Sequence, residues 1–262
     1  MSPVMTPSRY LAILACAATI TSCSKDAVQI ISAPATGARV KFYNFSMGAP
    51  GVNFFANDAQ VTALRSDSGA TTKSGTTYGA VAAGGLYNAV PAGQVSLTGR
   101  IGTVTDAGVP IATVAASLVD GKFYSLYLSG PYNTTAKSTD AFIIEDPLPA
   151  FDYAKANVRF VNAIANGPSP MVLWAKSTTV GDSVAIGGTA GVGYKGATPF
   201  VPIRGDVYDL VVRYPGSNTA VITLAAQSLS SSRVYTISSR GDITIVSTTA
   251  ANRPILNNSA NR

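Results

Sequence analysis

The 262-residue chain holds 24 glycines, 15 prolines and a single glutamate, a composition that favours strands and turns over helices. It contains no histidine, which excludes His-based catalytic triads and the usual Cys/His zinc sites. The net charge of +6 is spread over the chain without a basic run, so no nucleic-acid partner is expected.

Residues 1–22 have the pattern of a bacterial lipoprotein signal peptide. A short positive segment precedes an apolar stretch of eleven residues, which suits a signal peptide but cannot span a bilayer, since spanning takes about 20 residues. The end of this stretch resembles a lipobox, so we expect cleavage before Cys23 and acylation of its sulfur. The lipobox residues before the cysteine are Ile20, Thr21 and Ser22.

The segment 23–37 is interpreted as the lipidated cysteine and a tether of small and turn-forming residues. Because one acyl chain binds a membrane weakly, two or more chains are expected on Cys23. Ser24 stands where aspartate would favour retention at the inner membrane. By resemblance to gram-negative sorting patterns, we expect an outer-membrane lipoprotein, facing either the periplasm or the cell surface.

Residues 38–150 are predicted to form the first β-sandwich, because apolar and polar side chains alternate in short segments separated by Gly, Pro and Asn turns. In the segment 124–129, for example, Tyr124 and Leu126 alternate with Ser125 and Tyr127. This period of two is typical of half-buried strands. The Ser/Thr/Gly-rich stretch Leu64–Gly85 is interpreted as an insertion, either a surface loop or an added hairpin, and as the first place to look for recognition.

The densest acidic stretch of the chain lies at the end of this repeat. Asp140, Glu145 and Asp146 could supply a glycosidase pair or oxygen ligands for calcium, although they fit better as solvated strand ends. We therefore treat them as weak calcium candidates and assign no metal site. The connector 146–151 contains two prolines, which cannot donate backbone hydrogen bonds to a sheet. We therefore expect the boundary between the repeats to lie there.

Residues 154–250 are predicted to form a second sandwich, because four segments of the first repeat return there in the same order. The offset falls from 118 residues at Val40/Val158 to 111 at Tyr124/Tyr235, as loop deletions in a duplicated sequence would produce. The glycine-rich segment 191–196 has dinucleotide-binding spacing but no helix after it, so it is interpreted as a turn. Residues 251–262 are interpreted as a C-terminal tail.

The aromatic residues divide into structural and exposed candidates. Tyr124 and Tyr235 recur at equivalent positions and are predicted to be structural, and Trp174 lies in an apolar segment and is predicted to pack in the core. Other tyrosines are looser candidates for ligand contact, as aromatic platforms stack on sugar rings. The binding candidates are Tyr194, Tyr132 and Tyr153.

Two motifs shared by the repeats carry a family resemblance. Each repeat opens with Val-Lys/Arg-Phe-x-Asn, at residues 40–44 and 158–162, and each later has a Tyr-Ser/Thr strand. In these motifs the chain resembles the tandem, Ig-like domain of unknown function of the DUF4397 type, which is common in bacterial secreted and lipid-anchored proteins. The resemblance implies an Ig-like or Greek-key β-sandwich and an envelope location, but no activity.

The leading functional hypothesis is a non-enzymatic, lipid-anchored envelope protein without a cofactor. It would serve as a binding, adhesion or scaffold module for a glycan, a surface polymer or a protein partner. One alternative is a carboxylate-only hydrolase or hydrolase accessory, which needs two acids facing one cleft. Another alternative is a purely structural spacer, which would lack a ligand.

Overall fold

The computed structural model describes residues 36–62 and 74–262, and Thr36–Arg262 forms one compact unit. The predicted signal peptide, the lipobox and Cys23 lie outside the described residues. No helix in the described ranges is long and apolar enough to cross a bilayer. The first repeat contains β1 (Ala38–Asn44), β2 (Val52–Ala56), β3 (Ala59–Gln60), β4 (Ala80–Val81), β5 (Asn88–Val90), β6 (Gly93–Ile101), β7 (Pro110–Leu118), β8 (Phe123–Asn133) and β9 (Ser138–Glu145).

The second repeat has eight strands in a corresponding order, and a 3-10 turn at Ala82–Gly85 in the first repeat has no counterpart among its elements. Its strands are β10 (Lys155–Asn162), β11 (Val172–Ser177), β12 (Ser183–Ile186), β13 (Val201–Arg204), β14 (Asp206–Arg213), β15 (Ile222–Leu229), β16 (Val234–Arg240) and β17 (Ile255–Ala260).

Each repeat folds as two facing sheets around its own hydrophobic core. In the first repeat β1 lies beside β8, β8 beside β9, and β4 and β5 pair with the other edge of β1, while β3, β2, β6 and β7 form the second sheet in that order. The second repeat has the orders β13-β10-β16-β17 and β12-β11-β14-β15. Apolar side chains from both sheets of a repeat share one core. The predicted all-β class with tandem β-sandwiches is confirmed.

The pairing registers of the two repeats correspond residue by residue. β1 runs parallel to β8 with Val40 opposite Tyr124, and β10 runs parallel to β16 with Val158 opposite Tyr235. Each tyrosine also closes the turn before its strand in the same way. The hydroxyl of Tyr124 accepts the backbone N–H of the residue five positions earlier at 3.1 Å, and Tyr235 does so at 3.0 Å. The prediction that these tyrosines are structural is therefore supported by an explicit contact.

Two sequence interpretations differ from the structure. Residues 251–262 are not a free tail, because β17 pairs along the whole of β16 and completes the second sandwich. The second part of Leu64–Gly85 is not an insertion either, because Thr76 bridges to Val52 and β4 pairs with β1. The equivalent contacts in the second repeat join Met171 to Val192 and Val161 to Ala197. Residues 63–73 lie outside the described residues.

The strands of the facing sheets are buried to different extents. β7 and β15 alternate between buried and exposed side chains, as the period of two predicts. In contrast, almost every residue of β1, β10 and β16, and most of β8, is buried. Each of these strands is covered on one face by the core of its own sandwich and on the other face by the other repeat.

The ends of the molecule can be defined from the strand directions. We call "base" the end at which β1, β8, β10 and β16 begin, and "distal end" the opposite one. Contacts described below join the base of one repeat to the base of the other, so both sandwiches have the same orientation. The described chain enters at the base, where the turn before β8 holds Gly37: its N–H donates to the side chain of Asp120, and its carbonyl accepts from Gly121 at 3.1 Å.

Candidate functional site

The outer faces of the β1-β8-β9 and β10-β16-β17 sheets pack against each other through an aromatic cluster. The rings of Tyr43 and Tyr127 stack at a centroid distance of 4.3 Å, and Tyr127 stacks on Phe142 at 5.0 Å. These rings pack against Val161 and Ala163 of the second repeat. Buried aromatic stacks of this kind stabilise an interface through both apolar burial and ring geometry. The two repeats therefore share a third hydrophobic core.

A basic side chain of each repeat crosses this interface at the base. Lys41 and Arg159 occupy the same position, since Lys41 pairs with Ser125 on β8 and Arg159 pairs with Thr236 on β16. The Lys41 ammonium donates to the Ala260 carbonyl at 2.8 Å and to Asn261 Oδ1 at 3.0 Å. This lysine of the first repeat is thus bound at the end of β17 in the second.

Arg159 makes the reciprocal contact with the first repeat. Its guanidinium donates to the Glu145 carbonyl at 3.2 Å and forms an ion pair with the Asp146 carboxylate. Both side chains of this ion pair are at most 1% exposed. Glu145 lies opposite Tyr124 just as Ala260 lies opposite Tyr235, so the two contacts are equivalent. The interface has approximate two-fold symmetry.

Asp146 is the centre of a buried hydrogen-bond network. Its second oxygen accepts from the hydroxyl of Tyr87 at 2.6 Å and from that of Ser125 at 2.7 Å. Lys41 lies above the Tyr87 ring, with 4.5 Å between the ammonium and the ring centroid. The network therefore buries two cations with one carboxylate.

Burial in this network shifts the protonation equilibrium of Lys41. Burial lowers the pKa of Lys41 to about 8; the Asp146 carboxylate opposes this shift, and the Arg159 guanidinium adds to it. Burial together with the neighbouring Asp146 carboxylate raises the pKa of Tyr87 well above its usual range. Lys41, Arg159 and Asp146 are buried where the two repeats meet, so the arrangement binds the repeats together.

The distal part of the interface contains a pair of equivalent tyrosines. Lys195 donates its backbone N–H to Asn162 as Gly79 does to Asn44, which makes Tyr194 equivalent to Tyr78. The Tyr194 hydroxyl lies 2.6 Å from Ser129 Oγ and donates to Asp140 at 2.9 Å. Tyr194 is therefore an interface residue rather than a free loop contact.

Tyr78 lacks the acceptor that Tyr194 has. Its ring lies under the Arg240 guanidinium, 4.7 Å from the ring centroid, and its buried hydroxyl has no hydrogen-bond partner among the described residues. The reason lies in the neighbouring strand: Asp140 pairs with Ser129, whereas Ile255 pairs with the equivalent Arg240. The two halves of the interface have diverged at this position.

A cleft of about 510 Å³ opens between the repeats at the distal end. Tyr78 and apolar residues of the first repeat form one wall, and the second repeat supplies Asp242 and Asn252. The N–H of Thr244 and the side chain of Asn166 donate to Asp242 and hold its carboxylate in place. The lining residues are Met47, Gly48, Tyr78, Pro131, Asp242, Ala251 and Asn252. Clefts between domains that combine apolar walls with a few fixed polar groups are common ligand sites.

The acidic candidates of the connector do not form one site. Asp140 and Glu145 lie on opposite faces of β9, because side chains alternate along a strand. Each is paired with a different cation: Lys195 lies 2.8 Å from Asp140, Lys122 lies 2.9 Å from Glu145, and Arg159 holds Asp146. Among the described residues, no group of three or more acidic, His or Cys side chains could hold a metal ion.

The remaining aromatic candidates are not among the residues that line the cleft. Tyr132 is partly buried against the core of the first repeat. Tyr153 lies on the connector at the base and is 82% exposed. The prediction that Trp174 packs in the core is wrong. Leu173 and Ala175 point into the core, so Trp174 lies on the outer face of the strand, where the Arg213 guanidinium is 5.7 Å from the ring centroid.

The residues that organise the interface were missed from the sequence. Lys41 and Arg159 are charged residues in the same position of two largely buried strands, and both are essentially fully buried. One signal in the sequence could have identified them. A long charged side chain recurs at the same position of a duplicated strand. It indicates a partner at the same position of the other repeat.

The fold and interface define a tandem β-sandwich protein whose two repeats pack with approximate two-fold symmetry. Residues 38–171 match the family described as Domain of unknown function (DUF4397). The match covers just over half of the 262 residues, and the chain belongs to this family. The matched region begins with β1 and ends immediately before β11. A search of curated proteins found no match.

Proposed function

We propose that the protein is a non-enzymatic, lipid-anchored recognition module of the bacterial cell envelope. The observation that carries this proposal is the distal cleft, which lies between two tightly packed repeats at the end opposite the entry of the chain. A lipid on Cys23 would hold the base near the membrane and present the cleft away from it. The sorting pattern at Ser24 favours the outer membrane.

The chemistry of the cleft favours a glycan as the ligand. Met47, Pro131 and Tyr78 offer apolar contact for the face of a sugar ring, while Asp242 and Asn252 offer acceptors and donors for hydroxyl groups. A carboxylate-only hydrolase needs two acids across one cleft. Asp242 is the single acid among the described lining residues, which favours binding over hydrolysis.

A glycan array probed with the chain from Cys23 onward tests recognition. Asn252→Ala removes one amide from the cleft, so we expect about a tenfold loss of affinity for any glycan bound there. Asn218→Ala is the matched control, because Asn218 is exposed on a distal hairpin outside the cleft lining. Equal affinity of the two variants would place binding elsewhere, and hydrolysis of a bound glycan would overturn the non-enzymatic assignment.

Anchoring is tested separately by Cys23→Ser in the full chain. We expect this substitution to abolish incorporation of labelled palmitate and to leave the precursor uncleaved. Palmitate incorporation that survives the substitution would refute the lipid anchor at Cys23.

A further inference from the structure

Four large hydrophobic side chains are exposed at the base of the molecule. Phe151 and Tyr153 lie on the connector between the repeats, and Val119 and Val180 lie in turns at the base of each sandwich. These two turns follow the ends of β7 and β11, which pair with the starts of β6 and β14. The exposed apolar groups of both repeats thus share one end of the molecule.

The two aromatic residues form a small platform with a cation beside it. The rings of Phe151 and Tyr153 lie 4.8 Å apart between centroids, and Phe151 is 54% exposed. The guanidinium of Arg262 lies 5.2 Å from the Phe151 ring and donates to the Pro149 carbonyl at 2.5 Å. Aromatic rings beside a basic group are the side chains found where proteins lie at the membrane–water interface.

The length of chain before Thr36 links this platform to a membrane. Thr36 is at the base, where Gly37 is bound to the turn before β8. A lipid on Cys23 would be separated from Thr36 by residues 24–35, a segment that spans roughly 45 Å at most. The base is therefore the end of the molecule within easiest reach of the bilayer.

We propose that the base is a membrane-binding surface that lies on the bilayer, with Phe151 and Tyr153 inserted among the lipid headgroups. This inference rests on the proposed anchoring at Cys23 for the choice of lipid as the occupant. Contact at the base would fix the orientation of the molecule and keep the distal cleft directed away from the membrane.

Depth-dependent quenching tests this contact. A chain that begins at Cys23 carries one cysteine, because Cys16 lies in the predicted signal peptide. That cysteine can be coupled to a maleimide lipid in vesicles of phosphatidylethanolamine and phosphatidylglycerol with brominated acyl chains. Trp174→Phe removes the one native tryptophan from both test chains. In that background Tyr153→Trp reports on the base, and Val246→Trp is the matched control, since Val246 is 95% exposed between β16 and β17 at the distal end.

We expect bromine to quench the added tryptophan at position 153 at least three-fold more strongly than the one at position 246. Phe151→Ser in the Tyr153→Trp chain should reduce that quenching by half or more. Equal quenching at the two positions, whether weak or strong, would overturn the proposal. Because the coupling is chemical, this result is independent of whether cells acylate Cys23, which the palmitate experiment decides.

Discussion

The two cations that cross the interface occupy one position of the duplicated strand, but their partners differ in charge. Arg159 binds the buried carboxylate of Asp146, whereas Lys41 binds the backbone carbonyl of Ala260 and the neutral side chain of Asn261. The two contacts join equivalent strands, since Lys41 of β1 reaches the end of β17 and Arg159 of β10 reaches the end of β9. The comparison shows that the two halves of the interface share their geometry but differ in charge. Burial beside uncharged acceptors lowers the pKa of Lys41.

The largest expected effect comes from removing the carboxylate. Asp146→Ala leaves Arg159 buried without its counter-ion and removes the acceptor of Tyr87 and Ser125. We expect the free energy of unfolding to fall by about 3–5 kcal/mol, measured by urea denaturation at neutral pH.

Asn261→Ala is the matched control for this substitution, because Asn261 holds the equivalent place in the second repeat. Lys41 retains its bond to the Ala260 carbonyl there, so we expect a loss of only about 1 kcal/mol. Similar losses for the two variants would contradict the difference in charge between the two halves of the interface.

The intermediate effect is a dependence of stability on pH that Lys41 creates. Its pKa is about 8 in the folded protein against 10.5 in the unfolded chain, so the unfolded chain binds more protons between these values. The contribution of Lys41 to the free energy of unfolding should therefore rise with pH, by about 1.5 kcal/mol between pH 8 and 9.5. Above pH 10 the raised pKa values of Tyr43, Tyr87 and Tyr127 reverse the trend, because tyrosines ionise first in the unfolded chain.

Lys41→Met isolates this contribution, since methionine keeps the apolar stem and cannot titrate. Urea denaturation of both proteins at pH 8.0, 8.5, 9.0 and 9.5 compares their slopes. We expect the free energy of unfolding of the native protein to rise by about 1.5 kcal/mol relative to that of the variant, which keeps only the opposing effect of the tyrosines. A rise of the same size in Lys41→Met would assign the pH dependence to other groups.

The smallest expected effect distinguishes the equivalent tyrosines. Tyr194→Phe removes a hydroxyl bound to Ser129 and Asp140, so we expect a loss of about 1–2 kcal/mol. Tyr78→Phe removes a buried hydroxyl without a partner among the described residues and should change stability by less than about 0.5 kcal/mol, or increase it. Thermal unfolding of the two variants measures both losses of stability. A larger loss for Tyr78→Phe than for Tyr194→Phe would contradict this expectation.

Much of the fold follows from local patterns in the sequence. The alternation of apolar and polar residues predicts the strands, and the falling offset between Val40/Val158 and Tyr124/Tyr235 predicts the duplication. The registers of β1 with β8 and of β10 with β16 agree with that alignment. These features could be predicted because strand periodicity and repeated motifs depend on neighbours along the chain.

Other features depended on contacts between distant segments. β17 is polar along much of its length and was interpreted as a tail, yet it is a strand because β16 offers it a free edge. Trp174 lies on the outer face of β11 because pairing sets which alternate residues point inward, and an apolar run on its own does not. The distal cleft likewise combines residues more than a hundred positions apart.

By itself, then, the sequence determined an all-β chain of two related sandwiches, with its basic and acidic residues identified but not paired. Only the tertiary structure decided that Ser125, Tyr127 and Ser129 face the second repeat instead of water, and that Arg159 meets Asp146. The physical reason is that a period of two separates the two faces of a strand but says nothing of what covers the second face. In this protein the second face is covered by the equivalent sheet of the other repeat. The interface between the two sheets forms only after both repeats have folded and packed together.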